Sequence, residues 1–522
     1  MHLSARSAMS VVVFSAVTLP LFSQEYLDDV VERAQRQFNV PGIAVAIVKD
    51  GKVVALKGFG MRRLGSPAPV TPHTIFGIAS NTKIFTSAAL AMLVDEGKIN
   101  WDDRVVDRLP GFQMSDAYVT REMRIRDLLC HRSGLTLGAG DLLFFPSTDL
   151  SSDQINYRLR FVPLGAGFRS TYAYDNILYN SAGALIREVS GKSWAEFIRE
   201  RFFVPLNMRD SKTSISNLDA STDVVAPHVT DDGKLRSLEH MALDNNAPAG
   251  SIVSSVDDMS RWVIALLKHG ELGNGKRLFS ERQARILWTP LTILPVSAAP
   301  PELAEMKTDF ADYAMGEVLR DYRGHLLVSH TGGLQGMVSI VSMLPDLNLG
   351  VVVLTNQESG AAFQSIANTV LDHYLGVPSK DWVTAFSAVE KRQIEEAEKT
   401  VGEATGKRDI SSKPSLPLDS YTGRYRDAWY GDVVVDKTAD AFRIRFTHTP
   451  LLAGRLEHWQ HDTFIARWDD RSLRADAYVT FALNPDGTIE RVEMKAVSPL
   501  TDFSFDFQDL MLRPVANNAA PY

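Results

Sequence analysis

Ser80-Asn81-Thr82-Lys83-Ile84-Phe85-Thr86-Ser87-Ala88-Ala89-Leu90-Ala91-Met92-Leu93-Val94 decides the fold. Small and apolar residues lie on every side of this run, which predicts a helix enclosed at the centre of a domain rather than one laid on its surface. Ser80 marks its start, and Gly97 follows its end, where a left-handed cap would sit. Ser80 and Lys83 therefore stand one turn apart on the same face. A serine hydroxyl is a poor nucleophile at neutral pH. A neighbouring amine helps by taking its proton or by holding a second base in its anionic form. The helix start adds a positive field and free backbone N–H groups where a carbonyl oxygen would acquire charge. This is the one Ser-x-x-Lys in the chain. Alone, the pattern is weak, and a serine cap followed by an exposed lysine is the simpler reading.

Outward from this helix, Ile43 to Val48 and Val53 to Phe59 flank the turn Lys49-Asp50-Gly51-Lys52, a hairpin signal. An amphipathic helix around Tyr26 to Phe38 precedes it. Val338 to Leu344 and Gly350 to Leu354 form a second strand pair across Pro345-Asp346-Leu347-Asn348. Strands and helices mix to about Gly376, as in one large α+β domain with an antiparallel sheet. Asp381 to Glu403 is charged and helical in pattern, and Gly406 to Pro417 is rich in Lys, Ser and Pro, as linkers are. Beyond it, Phe442, Ile444 and Phe446 alternate with Arg443 and Arg445, and Tyr478 to Leu483 meets Ile489 to Met494 across Asn484-Pro485-Asp486-Gly487. This end is all-β, a small barrel or sandwich.

Two further motifs carry chemistry. Tyr174-Asp175-Asn176 is the one Tyr-x-Asn, and His330-Thr331-Gly332-Gly333 lies between apolar segments of strand character, with glycines where another backbone must come close. A tyrosine beside a lysine can lose its proton well below the usual value of about 10, so Tyr174 is a candidate general base. The Asn176 amide can hold the lysine and a substrate carbonyl together.

With these three motifs in order, the chain resembles the serine β-lactamase and penicillin-binding-protein superfamily, in its class C β-lactamase, D-aminopeptidase and esterase branch. Leu129-Cys130-His131-Arg132-Ser133-Gly134-Leu135, Trp101-Asp102-Asp103-Arg104-Val105 ahead of Leu109-Pro110, Pro205-Leu206-Asn207-Met208 and Ala249-Gly250-Ser251 look like the same family. The resemblance covers roughly 26–376. It implies an α/β/α sandwich with an antiparallel sheet and a helical subdomain. The tail, with Gly423-Arg424-Tyr425 and Trp429-Tyr430-Gly431-Asp432, is similar to an accessory lipocalin-like barrel. The expected division is 1–23 leader, 25–378 hydrolase domain, 379–417 helical linker and 418–515 accessory domain.

The resemblance implies that Ser80 attacks a carbonyl, that Lys83 and Tyr174 share its proton, and that Tyr174 protonates the leaving group. The backbone N–H groups of Ser80 and Gly333 would hold the oxyanion, Asn176 would orient the substrate, and the strand bearing His330, Thr331, Gly332 and Gly333 would pair with it. One departure stands out. His330 occupies the place where many relatives carry lysine, so a permanent cation for a substrate carboxylate is missing there. Arg323 is a solvated loop arginine in the simplest reading. The implied activity is hydrolysis of an amide or ester: a D-residue-containing peptide, a β-lactam or a small acyl ester. The alternatives are a penicillin-binding sensor that acylates and stalls, and a carboxylesterase with incidental β-lactam turnover.

Composition agrees with a protein that folds in water. It is 45% hydrophobic and 23% charged, with a net charge of −8 and no block of like charge to suit nucleic acid. Arg6, the apolar stretch from Val11 to Phe22 and Ser23-Gln24-Glu25 read as a secretory leader, giving a periplasmic or secreted protein with no integral membrane span after cleavage. Its partner is expected to be a small molecule or peptide substrate. The lone Cys130 permits no intrachain disulfide and is expected to be buried. No metal or organic cofactor is called for. His458 and His461 alternate in a strand-rich segment and read as surface residues. Core packing is the expected job of Tyr172, Tyr179, Trp429, Trp459 and Trp468, and His131 would brace the site or the core. The accessory domain is expected to restrict access to the site or to mediate association into a homo-oligomer.

Overall fold

The computed structural model describes residues 25–219, 221–231, 233–378, 380–438 and 441–516. The leader expected over 1–23 lies outside them. Helix α1 (Glu25–Phe38) turns its apolar stripe of Leu27, Val30, Val31, Ala34 and Phe38 inward. Strands β1 (Gly42–Lys49) and β2 (Lys52–Gly60) follow as the predicted hairpin. Asp50 and Gly51 both have positive φ, 52° and 71°, the pair of left-handed conformations that a two-residue turn matched to strand twist requires.

The central helix α2 (Lys83–Asp95) is buried along almost its whole length. Helices α3 (Ile177–Ser190) and α4 (Val256–Leu267) pack near it. Six more strands complete the sheet: β3 (Thr292–Ile293), β4 (Ala311–Tyr313), β5 (Val318–Tyr322), β6 (His325–Leu334), β7 (Met337–Leu344) and β8 (Leu349–Thr355). The order is β2-β1-β8-β7-β6-β5-β4-β3, antiparallel at every pairing. Ala44, Ala46 and Val48 of β1 face α2 and α4, while Ile43, Val45 and Ile47 face α1, α5 (Gly360–Leu375) and α6 (Trp382–Gly406). Because β1 is apolar on both faces, it must lie between two helical layers.

Helix α6 begins inside what the composition marks as a linker. Trp382, Val383, Phe386 and Val389 recur at helical spacing and are buried against α1 and α5, so its first half belongs to the core. Seven C-terminal strands, from Gly423–Asp427 to Ile489–Ala496, and Arg513–Pro514 at one edge form an eight-stranded antiparallel sheet. Val492 and Leu512 exchange backbone hydrogen bonds of 2.8 and 3.2 Å across the remaining gap, so the sheet curls into a nearly closed barrel. Trp429, Tyr430, Phe464 and Trp468 fill it, and this apolar core runs continuously into the one around α2. No helix among the described residues is long and apolar enough to cross a membrane.

Candidate active site

Ser80 sits on a tight 3-10 turn, Ala79–Thr82, that runs directly into α2. Ala79 holds a φ of 49°, which costs a non-glycine residue on the order of 1 kcal/mol and persists because the surroundings over-determine it. Ser339 of β7 accepts from the Asn81 side chain at 2.9 Å and donates to the Ile78 carbonyl at 2.9 Å. On the other side Ile252 N–H donates to the Thr82 hydroxyl at 3.2 Å. Gly332 completes the clamp: a Cβ there would lie 2.2 Å from the Ile78 carbonyl oxygen, so no other residue lets β6 press against this turn.

The Ser80 hydroxyl makes no helix-capping bond, and Lys83 is fully buried, which removes the reading of a cap and an exposed lysine. Lys83 Nζ donates to Ser80 Oγ at 3.0 Å, to Asn176 Oδ1 at 2.7 Å and to the Ala249 carbonyl at 3.0 Å. It also stands 4.8 Å from the Tyr174 ring centre and 5.1 Å from that of Tyr179. Loss of hydration drives its pKa down to about 7, against the opposing pull of Asp141 and Asp175. An amine at that value is half neutral at physiological pH and can accept a proton.

The Tyr174 phenol lies close enough to the Ser80 hydroxyl to feel it, and its ring stands 4.8 Å from Lys83 Nζ, so alcohol, amine and phenol do meet. The direction expected for the phenol is reversed, however. Burial pushes its pKa well above 10, and the nearby Ser80 hydroxyl only partly opposes this. Tyr174 thus holds its proton near neutral pH, and Lys83 is the group whose pKa would suit a base. His131 packs its ring 4.2 Å from that of Tyr174, and its Nδ1 accepts from the Asp175 N–H at 3.1 Å, so it braces the phenol from behind. Tyr179 is core, with its hydroxyl on the Leu129 carbonyl at 2.8 Å. Tyr172 departs from expectation by lining the cleft.

Asn176 precedes α3. Its Nδ2 donates to Asp141 Oδ2 at 2.8 Å, which fixes the amide with Oδ1 toward Lys83. Asp141 is fully buried, and its pKa is pushed up to about 8. His330 Nδ1 lies 2.5 Å from the Thr331 carbonyl and its Nε2 2.9 Å from the Tyr313 hydroxyl. This network assigns the proton to Nδ1. Burial first, and Lys83 second, hold its pKa down at about 3, so His330 is neutral and supplies no cation.

Strand β5 pairs with β6 only as far as Val318 opposite Ser329, whereas β7 continues along β6 to Leu334. His330 to Leu334 thus keep one edge that no strand among the described residues covers. A cavity of about 1100 Å³ opens along that edge, lined by Ser80, Tyr174, Asn176, Thr331, Gly332 and Gly333. All eight residues singled out from the sequence border it except Lys83, which lies beneath Ser80.

Several participants had no sequence signal: Asp141, Tyr313, Arg320 and, from the C-terminal domain, Phe503 and Ser504. Phe503 packs edge to face on Tyr174, with ring centres 5.9 Å apart, and helps wall the cavity. Arg323 is not solvated; it pairs with Asp372 at 2.7 and 2.8 Å. Cys130 is buried, and Trp429 and Trp468 are core. Trp459 is half-buried, with the Arg408 guanidinium 4.7 Å from its ring, and His458 bonds the His461 carbonyl at 2.9 Å.

A family model described as Beta-lactamase matches residues 27–375, and one described as a domain of unknown function (DUF3471) matches 407–514. The chain is 28% identical over 490 residues to the protein named Unguisins hydrolase ungD' of Aspergillus campestris (strain IBT 28561), covering 88% of this chain and 87% of that protein. The octameric penicillin-binding protein homologue from Pyrococcus abyssi superposes with a TM-score of 0.60 at 21% identity, over 94% of this chain and 99% of that one. The D-amino acid amidase from Ochrobactrum anthropi SV3 gives 0.56 at 21% identity, over 68% and 98%.

Proposed function

The chain belongs to the β-lactamase family, and on that premise we propose that it is an exported serine hydrolase that cleaves an amide or ester through an acyl-enzyme on Ser80. The contact of a buried, half-neutral Lys83 with Ser80 at 3.0 Å carries this reading. Ser80 Oγ attacks the carbonyl carbon as its proton passes to Lys83 Nζ. The tetrahedral oxyanion forms beside the Ser80 and Gly333 N–H groups. On collapse the C–N or C–O bond breaks, Tyr174 gives its proton to the leaving group, and Lys83 returns one to the phenol. Water then attacks the ester with the same groups in reverse, restoring Ser80 and releasing the acid. The leader read over 1–23 puts this chemistry in the periplasm or outside the cell.

Substrate choice follows from the cavity. The open edge of β6 suits an extended peptide-like acyl chain laid beside His330 to Leu334. Arg320 lies on β5, opposite Leu327, so it shares a sheet face with Ser329 and Thr331. It lines the cavity, is largely buried, and its Nε has no hydrogen-bond partner. No acid among the described residues pairs with it. A buried guanidinium of this kind offers the cation that His330 does not, so the favoured substrate carries a carboxylate. Two relatives are by name a hydrolase and an amidase, which agrees with acyl transfer to water.

The test compares wild type with Ser80→Ala on D-aminoacyl anilides, short-chain esters and a chromogenic cephalosporin, with mass spectrometry of trapped intermediates. Turnover with a transient adduct on Ser80, lost in the variant, is expected. A persistent penicillin adduct without turnover would replace this reading with a sensor. Activity on esters alone would make the protein an esterase.

A further inference from the structure

The hydrogen bonds that reach Lys83 start in a different domain. Ser504, in the segment that follows the barrel strands, donates from Oγ to Asp141 Oδ2 at 2.8 Å. Asn176 Nδ2 donates to that same oxygen at 2.8 Å, and Lys83 Nζ donates to Asn176 Oδ1 at 2.7 Å. All four side chains are buried. The backbone around both ends is pinned as well. Ser504 N–H donates to Asp502 at 2.9 Å, while Asp506 accepts from Gly140 and Leu142, the neighbours of Asp141, at 2.7 and 3.1 Å.

This arrangement has a chemical consequence at the amide. Asp141 Oδ2 accepts from Asn176 Nδ2, so the amide presents its NH2 to the carboxyl group and its oxygen to Lys83. Asp141 Oδ1 has no partner, so its two bonds on Oδ2, from Ser504 and Asn176, hold the carboxyl group in place. We propose that Ser504 is a positioning residue of the active site, its hydroxyl fixing Asp141 and, through Asn176, the lysine beside Ser80. The inference rests on the reading that Lys83 activates Ser80.

The electrostatic sign is definite. The acids facing Lys83 are Asp141 and Asp175, with the phenol of Tyr174 and the rings of His131 and His330 around it. The groups facing Asp141 are Lys83 and Asp502, with Asp506 close by. The Ser504 bond favours the ionised form of Asp141, and ionised Asp141 favours charged Lys83. Without the hydroxyl, Asp141 stays neutral to higher pH, and Lys83 sheds its proton at lower pH.

The rate of Ser80 phosphonylation by a fluorophosphonate probe, followed across pH by intact-mass spectrometry, reads this without knowledge of the substrate. Ser504→Ala is expected to slow the plateau rate roughly five- to tenfold and to move the acid limb down by about 0.3 to 1 pH unit. Ser504→Thr should restore both. Asp141→Asn should move the limb in the same direction, and adding Ser504→Ala to it should change little further. An unmoved limb in Ser504→Ala, or a loss that adds in full to that of Asp141→Asn, overturns the proposal. If folded wild type takes no label at Ser80, the acyl-enzyme reading falls first and this inference with it.

Discussion

Lys83 Nζ stands 3.0 Å from Ser80 Oγ, yet the ammonium head is wholly enclosed, held by one amide oxygen, one backbone carbonyl and the serine itself. No carboxylate among the described residues touches it directly. Burial without a contacting counter-ion disfavours its charge, and this is how a lysine comes to serve as a base near neutrality.

The activity should therefore follow the Lys83 proton. The free-enzyme group has a pKa of about 7, so kcat/KM is expected to rise as pH passes through that value and to fall below it, as the amine becomes charged. Lys83→Arg keeps a permanent cation that cannot accept a proton, and should lower kcat/KM by about 10² to 10⁴. Ester hydrolysis recorded between pH 5 and 9 checks both statements. A profile flat across that range would remove Lys83 from the role of base.

The two glycines of β6 should behave oppositely. At Gly332 a methyl group would meet the Ile78 carbonyl at 2.2 Å and Ser339 Oγ at 2.5 Å, both parts of the clamp on the nucleophile turn. Gly332→Ala is expected to cost about 1–3 kcal/mol in stability and to depress activity further by tilting Ser80. A methyl at Gly333 meets nothing within 4 Å, so Gly333→Ala should change stability by about 0.5 kcal/mol or less. Denaturant unfolding of the two variants side by side decides the contrast.

Much of this site is legible because each motif is short and closes on an element end. Ser80 and Lys83 sit on the entry to α2, Asn176 stands immediately before α3, and His330 to Gly333 lie on one strand. The periodicities that place those elements also aim their side chains. Local pattern carries no information about partners hundreds of residues away, and Ser504 meets Asp141 across 363 positions. The phenol is the instructive failure. Sequence puts Tyr174 near a lysine, but the sign of its shift depends on how completely both are desolvated, and that is set by tertiary packing, including Phe503 of the other domain. The same holds for α6, whose charged composition hides four apolar positions at helical spacing.

Phe503 narrows the cleft beside Tyr174. Removing its ring should favour large acyl groups over small ones. Phe503→Ala is expected to raise the ratio of kcat/KM for a bulky aromatic ester over an acetate ester by roughly five- to thirtyfold, the size expected for a few kcal/mol or less of steric discrimination. An unchanged ratio would mean that the C-terminal segment touches the wall without shaping selection.

Arg320 offers the sharpest test of substrate class. Its guanidinium is largely buried in the cavity, where burial lowers its pKa from the usual arginine value, and a guanidinium keeps its proton in proteins. Binding is best measured in Ser80→Ala, where no chemistry intervenes. A dipeptide ending in a free carboxylate should bind that protein about tenfold or more tightly than the same dipeptide amidated at its C-terminus, since a charge-assisted hydrogen bond to a buried partner contributes about 1.5–3 kcal/mol. Adding Arg320→Met should bring the two affinities together, and Arg320→Lys should recover only part of the gap, because lysine lacks the planar fork that grips both carboxylate oxygens. Equal affinities before Arg320 is changed would dismiss the carboxylate as a determinant and leave the open edge of β6 as the main source of recognition.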